Sequence, residues 1–134
     1  MAGTGRLLAL GAAAFLACAA PCALHAQTVI TNTGVAIVPA DVRMIYIGEK
    51  QFAGAVRLVP VDNNGIQDRF LTNFLKVDNG KYYSIWAKKS FREGVNPPVL
   101  KATDGEVVDF VRRTPGAVGY IGDPSKAVGV ALVK

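Results

Sequence analysis

Histidine and cysteine are almost missing from this chain. Its 134 residues hold one histidine, His25, and two cysteines, Cys18 and Cys22. All three fall within the first 26 residues, and that stretch reads as a secretory signal peptide. Arg6 supplies the positive start, Leu7 to Ala20 the apolar run, and Leu24-His25-Ala26 a small-residue cleavage site before Gln27. The apolar run falls short of the ~18 or more residues that suggest a membrane span. No stable span is therefore expected once the leader is removed. Phe15-Leu16-Ala17 ahead of Cys18 is a poor lipid-attachment motif, and Pro21 ahead of Cys22 is a worse one. Simple cleavage is favoured over a lipoprotein, and the expected location is the periplasm.

Cleavage after Ala26 leaves residues 27–134, a chain of 108 residues (134 less 26) with neither thiol nor imidazole. Metal sites built on Cys and His are excluded. So are a Ser-His triad, a Cys nucleophile and a disulfide. Asp, Glu, Lys, Tyr and Ser remain for chemistry. Asp104, Glu106 and Asp109 lie close in sequence, but the first two fit the electrostatics of a helix start. No constellation calls for a reaction. The expectation is a non-enzyme without metal or cofactor.

Charge of one sign is scarce too. The net charge of +5 becomes +4 when Arg6 is lost, and the bases are scattered. The densest groups are Lys88, Lys89 and Arg92, then Arg112 and Arg113. They read as solvated helix faces rather than a nucleic-acid stripe. A chain of this length makes one domain.

The order of elements reads β-α-β-α-α-α-β-β. Gln27 to Val38 reads as a strand interrupted near Asn32 to Gly34, and Pro39 to Gly48 as a short helix. Ala55 to Val61 is a strand, Asp62 to Gly65 a turn that caps the next helix, and Ile66 to Leu75 that helix. Lys81 to Phe91 is a further helix, with Tyr82, Ile85 and Trp86 on one side; Pro97-Pro98 keeps the next stretch irregular. Among Tyr82, Tyr83, Trp86 and Phe91, a core role is favoured over ligand stacking.

Thr103 to Tyr120 is the clearest unit. Thr103 and Glu106 form a capping-box pattern. Val107, Val108, Phe110 and Val111 make an apolar stripe, and Thr114-Pro115-Gly116 stops the helix. Ala117 to Ile121 is a buried strand, and Lys126 to Lys134 reads as a terminal strand.

That unit resembles the C-terminal part of the phosphate-type ABC-transporter solute-binding proteins. So do Met44 to Lys50, similar to the end of one helix in that family, and the run Trp86, Phe91, Gly94, Pro97-Pro98. The resemblance spans roughly residues 28 to 122. It implies an α/β fold: a single lobe of a periplasmic-binding-protein-like (type 2) architecture, a mixed sheet flanked by helices. Complete members of the family are more than twice as long, and the resemblance implies a chain reduced to a single lobe.

The resemblance points to one candidate site, the strand-to-helix loop Asn63, Asn64, Gly65, Ile66 and Gln67, with Arg69 one turn on. A helix start offers free amides to an anion. The family holds an Arg and a Ser-Gly-Thr motif there. Here Asp62 or Asn63 falls near the Arg and Gly65-Ile66-Gln67 near Ser-Gly-Thr, so only the glycine is kept. Two readings follow. One is an exported lobe that binds phosphate or another oxyanion weakly. The other is a lobe without a small ligand, kept for contact with itself as a homo-oligomer or with an envelope protein. A turn and helix cap with no ligand is the favoured reading of the loop itself.

Overall fold

The computed structural model describes residues 27–134. The expected signal peptide and its cleavage site lie outside the described residues.

A five-stranded mixed sheet forms the centre. Its strands are β1 (Thr28–Thr31), β4 (Val59–Asn63), β5 (Val99–Lys101), β6 (Ala117–Ile121) and β7 (Ala131–Leu132). Their spatial order is β5-β4-β6-β1-β7. β4 runs parallel to β5 and β6, while β1 is antiparallel to β6 and β7. A separate hairpin joins β2 (Phe52–Ala53) to β3 (Val56–Arg57).

Side chains alternate across this sheet, as the two-residue period of a strand requires. Val29, Val118 and Tyr120 enter one apolar cluster; Ile30, Ala117 and Ile121 enter the other. The first cluster is covered by α1 (Pro39–Tyr46), α2 (Gln67–Phe70) with its π-helical continuation Leu71–Leu75, and α3 (Asn79–Glu93). The second lies under α4 (Asp104–Arg113) through Val107, Val108 and Val111. Gly119 admits α4 this closely: a Cβ there would stand 2.7 Å from Val107 Cγ1 and 2.9 Å from Val61 Cγ1.

The helix starts follow local chemistry. Thr103 Oγ1 accepts from Glu106 N at 3.3 Å, and Glu106 Oε2 accepts from Ala102 N at 2.9 Å. Asp78 Oδ1 accepts from Lys81 N at 2.8 Å, which starts α3 two residues before the position the sequence pattern marks. Gly94, at φ +68°, ends it.

Other expected boundaries differ, and the strand expected over Ala55 to Val61 divides into β3 and β4. β1 stops at Thr31 because Asn32 turns to cap α4: its Nδ2 donates to Val111 O at 3.0 Å and to Arg112 O at 3.2 Å. β4 runs through Asp62 and Asn63, so the turn begins at Asn64. β5 forms in the stretch read as irregular. The terminal strand shrinks to Ala131–Leu132, because Gly129 bends the chain at φ +76° and leaves Val128 exposed.

Tyr82 and Trp86 are core residues, as expected, but Tyr83 is half exposed and Phe91 is 91 % exposed. Residues 82 and 86 share a helical face one turn apart; 83 and 91 lie off it.

Candidate functional site at the carboxyl ends of the parallel strands

β4, β5 and β6 all end at one edge of the sheet. In open α/β sheets, ligands bind in the crevice just beyond such ends. The loops there carry Asn64 to Ile66, Ala102-Thr103 and Gly122-Asp123.

The crevice is held together by carboxylates and Asn63. Asn63 is 1 % exposed and makes three contacts with its side chain. Nδ2 donates to Asp104 Oδ1 at 2.7 Å and to Tyr120 O at 3.2 Å, and Oδ1 accepts from Gly65 N at 3.1 Å. Asp104 gathers further donors: Oδ1 accepts from Gly122 N at 3.1 Å and Oδ2 from Asp123 N at 3.0 Å. A carboxylate thus receives a side-chain amide and two backbone amides at a helix start, the donor set that suits an oxyanion.

The loop amides are spent as well. Asn64 N donates to Lys101 O at 2.8 Å, Gly65 N to Asn63 Oδ1, and Ile66 N to Asn63 O at 3.2 Å. Ile66 stands at the N-cap without a side-chain cap bond, so the expected capping by Asp62 to Gly65 is replaced by this Asn63 turn. Asn64, Gly65 and Arg69 are exposed. Arg69 lines a cavity of about 220 Å³ with Gln27, Ile66, Asp104, Gly122 and Asp123. Gln67 is 6 % exposed and turns inward; its Oε1 accepts from Tyr83 Oη at 3.3 Å, while its Nε2 makes no well-formed hydrogen bond. The six residues marked by the sequence therefore divide. Arg69 and Ile66 border the cavity, Asn63 and Gln67 are buried, and Asn64 and Gly65 face solvent.

Beneath the crevice lies a second acid. Asp62 is 2 % exposed. Its carboxylate accepts from Tyr82 Oη at 2.6 Å and Tyr120 Oη at 2.8 Å. Burial pushes its pKa from 3.8 up to about 6, against the opposing pull of these hydroxyls. Burial and the nearby Asp62 charge drive both tyrosines well above their ordinary range. Tyr46 completes the group from α1: its Oη lies 2.8 Å from Val61 O and 3.0 Å from Val118 O, where β4 and β6 part. At the rim, hydrogen bonds from the Ser125 hydroxyl and amide hold the Asp123 carboxyl below the usual carboxylate range.

Sequence reasoning missed Asp104 as the centre of this arrangement, since an acid in a first helical turn is common. It also missed Tyr46, Tyr82 and Tyr120 as a hydroxyl set around the Asp62 region. Their separation along the chain hides their convergence. Among the described residues no group of three or more His, Cys, Asp or Glu could hold a metal ion, and no helix is long and apolar enough to cross a membrane.

No protein-family model and no curated protein matches the sequence. Solved structures do match in shape. One is PstS from Borrelia burgdorferi, at 16 % identity and a TM-score of 0.58, over 81 % of this chain and 46 % of that one. Another is an ABC-type phosphate transport receptor from Vibrio cholerae, at 14 % identity and a TM-score of 0.51, over 81 % of this chain and 45 % of that one. The fold is that of one lobe of a phosphate-receptor-like binding protein. The chain spans just under half the length of each receptor. These neighbours are binding receptors rather than enzymes.

Proposed function

We propose that this chain is an exported, periplasmic single-lobe module of the solute-binding type, kept for contact with an envelope protein or a second copy rather than as a receptor for free phosphate. The occupied crevice supports the ligand-free reading. Asp104 takes up three donors that would suit an oxyanion, and the amides of Asn64, Gly65 and Ile66 are bonded within the chain. Asp62, Asp104 and Asp123 bring three carboxylates to this end against Arg69. A free anion would meet repulsion from these carboxylates.

Weak oxyanion binding is the second reading. The cavity beside Arg69 favours it, because that residue lines a concave space of about 220 Å³. Arg presents a planar fork suited to phosphate.

Calorimetry separates the two. The chain beginning at Gln27 is titrated with phosphate, with sulfate as control. The proposal expects no saturable heat at millimolar phosphate. Saturable phosphate heat that disappears in Arg69→Gln would replace it with the second reading. Cell fractionation with N-terminal sequencing tests export: a mature chain starting at Gln27 in the periplasm is expected, and an uncleaved cytoplasmic chain would refute it.

A further inference from the structure

A second concave site lies at the opposite end of the sheet, where β4 and β5 begin. It encloses about 280 Å³. Leu58, Trp86, Pro97, Pro98 and Val99 form its apolar walls, and Lys50 and Arg57 stand among its lining residues. No carboxylate lines it.

The walls are fixed by the fold. Trp86 is nearly buried, and its Nε1 donates to Tyr46 O at 2.9 Å, which locks the indole plane. Gly48, also in the lining, turns at φ +78°; a Cβ there would stand 3.1 Å from Trp86 Cη2 and crowd the indole. Pro97 and Pro98 are stiff and carry no amide donor. Lys50 is tethered by Asp41 at 3.3 Å, while Arg57 has no ion-pair partner among the described residues.

A set, mostly apolar pocket with a few polar groups is the usual form of a small-molecule site. The charges decide the class. Among the described residues Arg57 is an unpaired cation, Lys50 a second one shared with Asp41, and no carboxylate lines the pocket, which favours an anionic head; the aromatic and proline walls favour an apolar body. A volume just below the usual range of ligand pockets, which starts at about 300 Å³, restricts the ligand to a small one. We infer that this pocket binds a small amphipathic carboxylate, its apolar body against Trp86, Pro97 and Pro98 and its carboxylate at Arg57 and Lys50. This surface is separate from the crevice at Asp104, so the inference stands apart from the function proposed above.

Trp86 is the chain's single tryptophan, so its emission reports on this pocket alone. The probes are octanoate, octan-1-ol and octylammonium, below their aggregation limits. Octanoate is expected to shift Trp86 emission saturably, at a dissociation constant at least tenfold below those of the other two. Arg57→Gln is expected to weaken octanoate at least fivefold, with octan-1-ol unaffected. Arg57 is exposed, so this variant keeps its fold, which circular dichroism verifies; Lys50→Gln provides the parallel test. Equal response to the three probes, no saturable shift, or octanoate affinity unchanged in both variants would overturn the assignment.

Discussion

Asp104 Oδ1 lies 2.7 Å from Asn63 Nδ2, a hydrogen bond between the first turn of α4 and the last residue of β4. It joins residues 41 apart in the chain across the crevice. The same carboxylate holds Gly122 N and Asp123 N, so one side chain ties the ends of β4 and β6 together.

Removing that carboxylate leaves its donors unmatched. Asp104→Ala is expected to cost about 2 to 3 kcal/mol, the scale of charge-assisted hydrogen bonds lost from partly buried donors. Urea denaturation measures the loss. Millimolar formate is expected to raise the melting temperature of this variant and leave the original chain unchanged.

Asp62 gives a pH dependence whose sign is fixed. Its folded pKa of about 6 lies above the ordinary 3.8, so the folded state holds the proton more tightly. The stabilisation is complete below about pH 4 and is lost as pH rises through about 6. The shift corresponds to roughly 3 kcal/mol. Asp62→Asn removes this contribution. Chemical denaturation from pH 4.5 to 7.5 is expected to show the original chain losing stability relative to Asp62→Asn as pH rises. A constant difference would refute the assignment.

Gly116 sits at φ +81°, and a Cβ there would stand 2.0 Å from Arg57 O. Its own carbonyl accepts from Val59 N at 2.8 Å, so the turn and β4 cannot easily move apart. Gly116→Ala is expected to destabilise the fold by on the order of 3 kcal/mol, from left-handed backbone strain and overpacking together. Thermal unfolding of this variant is the check.

Trp86→Phe removes the donor to Tyr46 O and leaves a buried carbonyl without that partner. A loss of about 1 to 3 kcal/mol is expected by urea denaturation.

The parts of this fold legible in the sequence are those set by near neighbours. Thr103, Glu106, the valine stripe and Thr114-Pro115-Gly116 specify α4 and β6 within one short segment. β5 was not legible: it has three residues, follows two prolines and shows no alternation, and it becomes a strand because β4 offers it a parallel partner. Asp62 looked like a turn residue because Asp favours turns. It is a strand residue because its backbone pairs in parallel with Leu100 of β5, and two tyrosines distant in sequence bring hydroxyls to its side chain. The loop from Asn63 to Gln67 was found by its position between strand and helix. Its bonding was hidden, since the acid that binds Asn63 across the crevice comes from another element.

A receptor gains stability from its ligand in proportion to the logarithm of ligand concentration. Asp104 supplies its charge from within the chain, at a local concentration fixed by the backbone. Tethering of this kind holds the effective concentration constant whatever the surroundings contain. On the reading proposed above, a lobe whose acceptor is built in keeps the same shape and strength in fluids rich or poor in phosphate. On that reading its presented surface is constant, where a receptor's would follow supply.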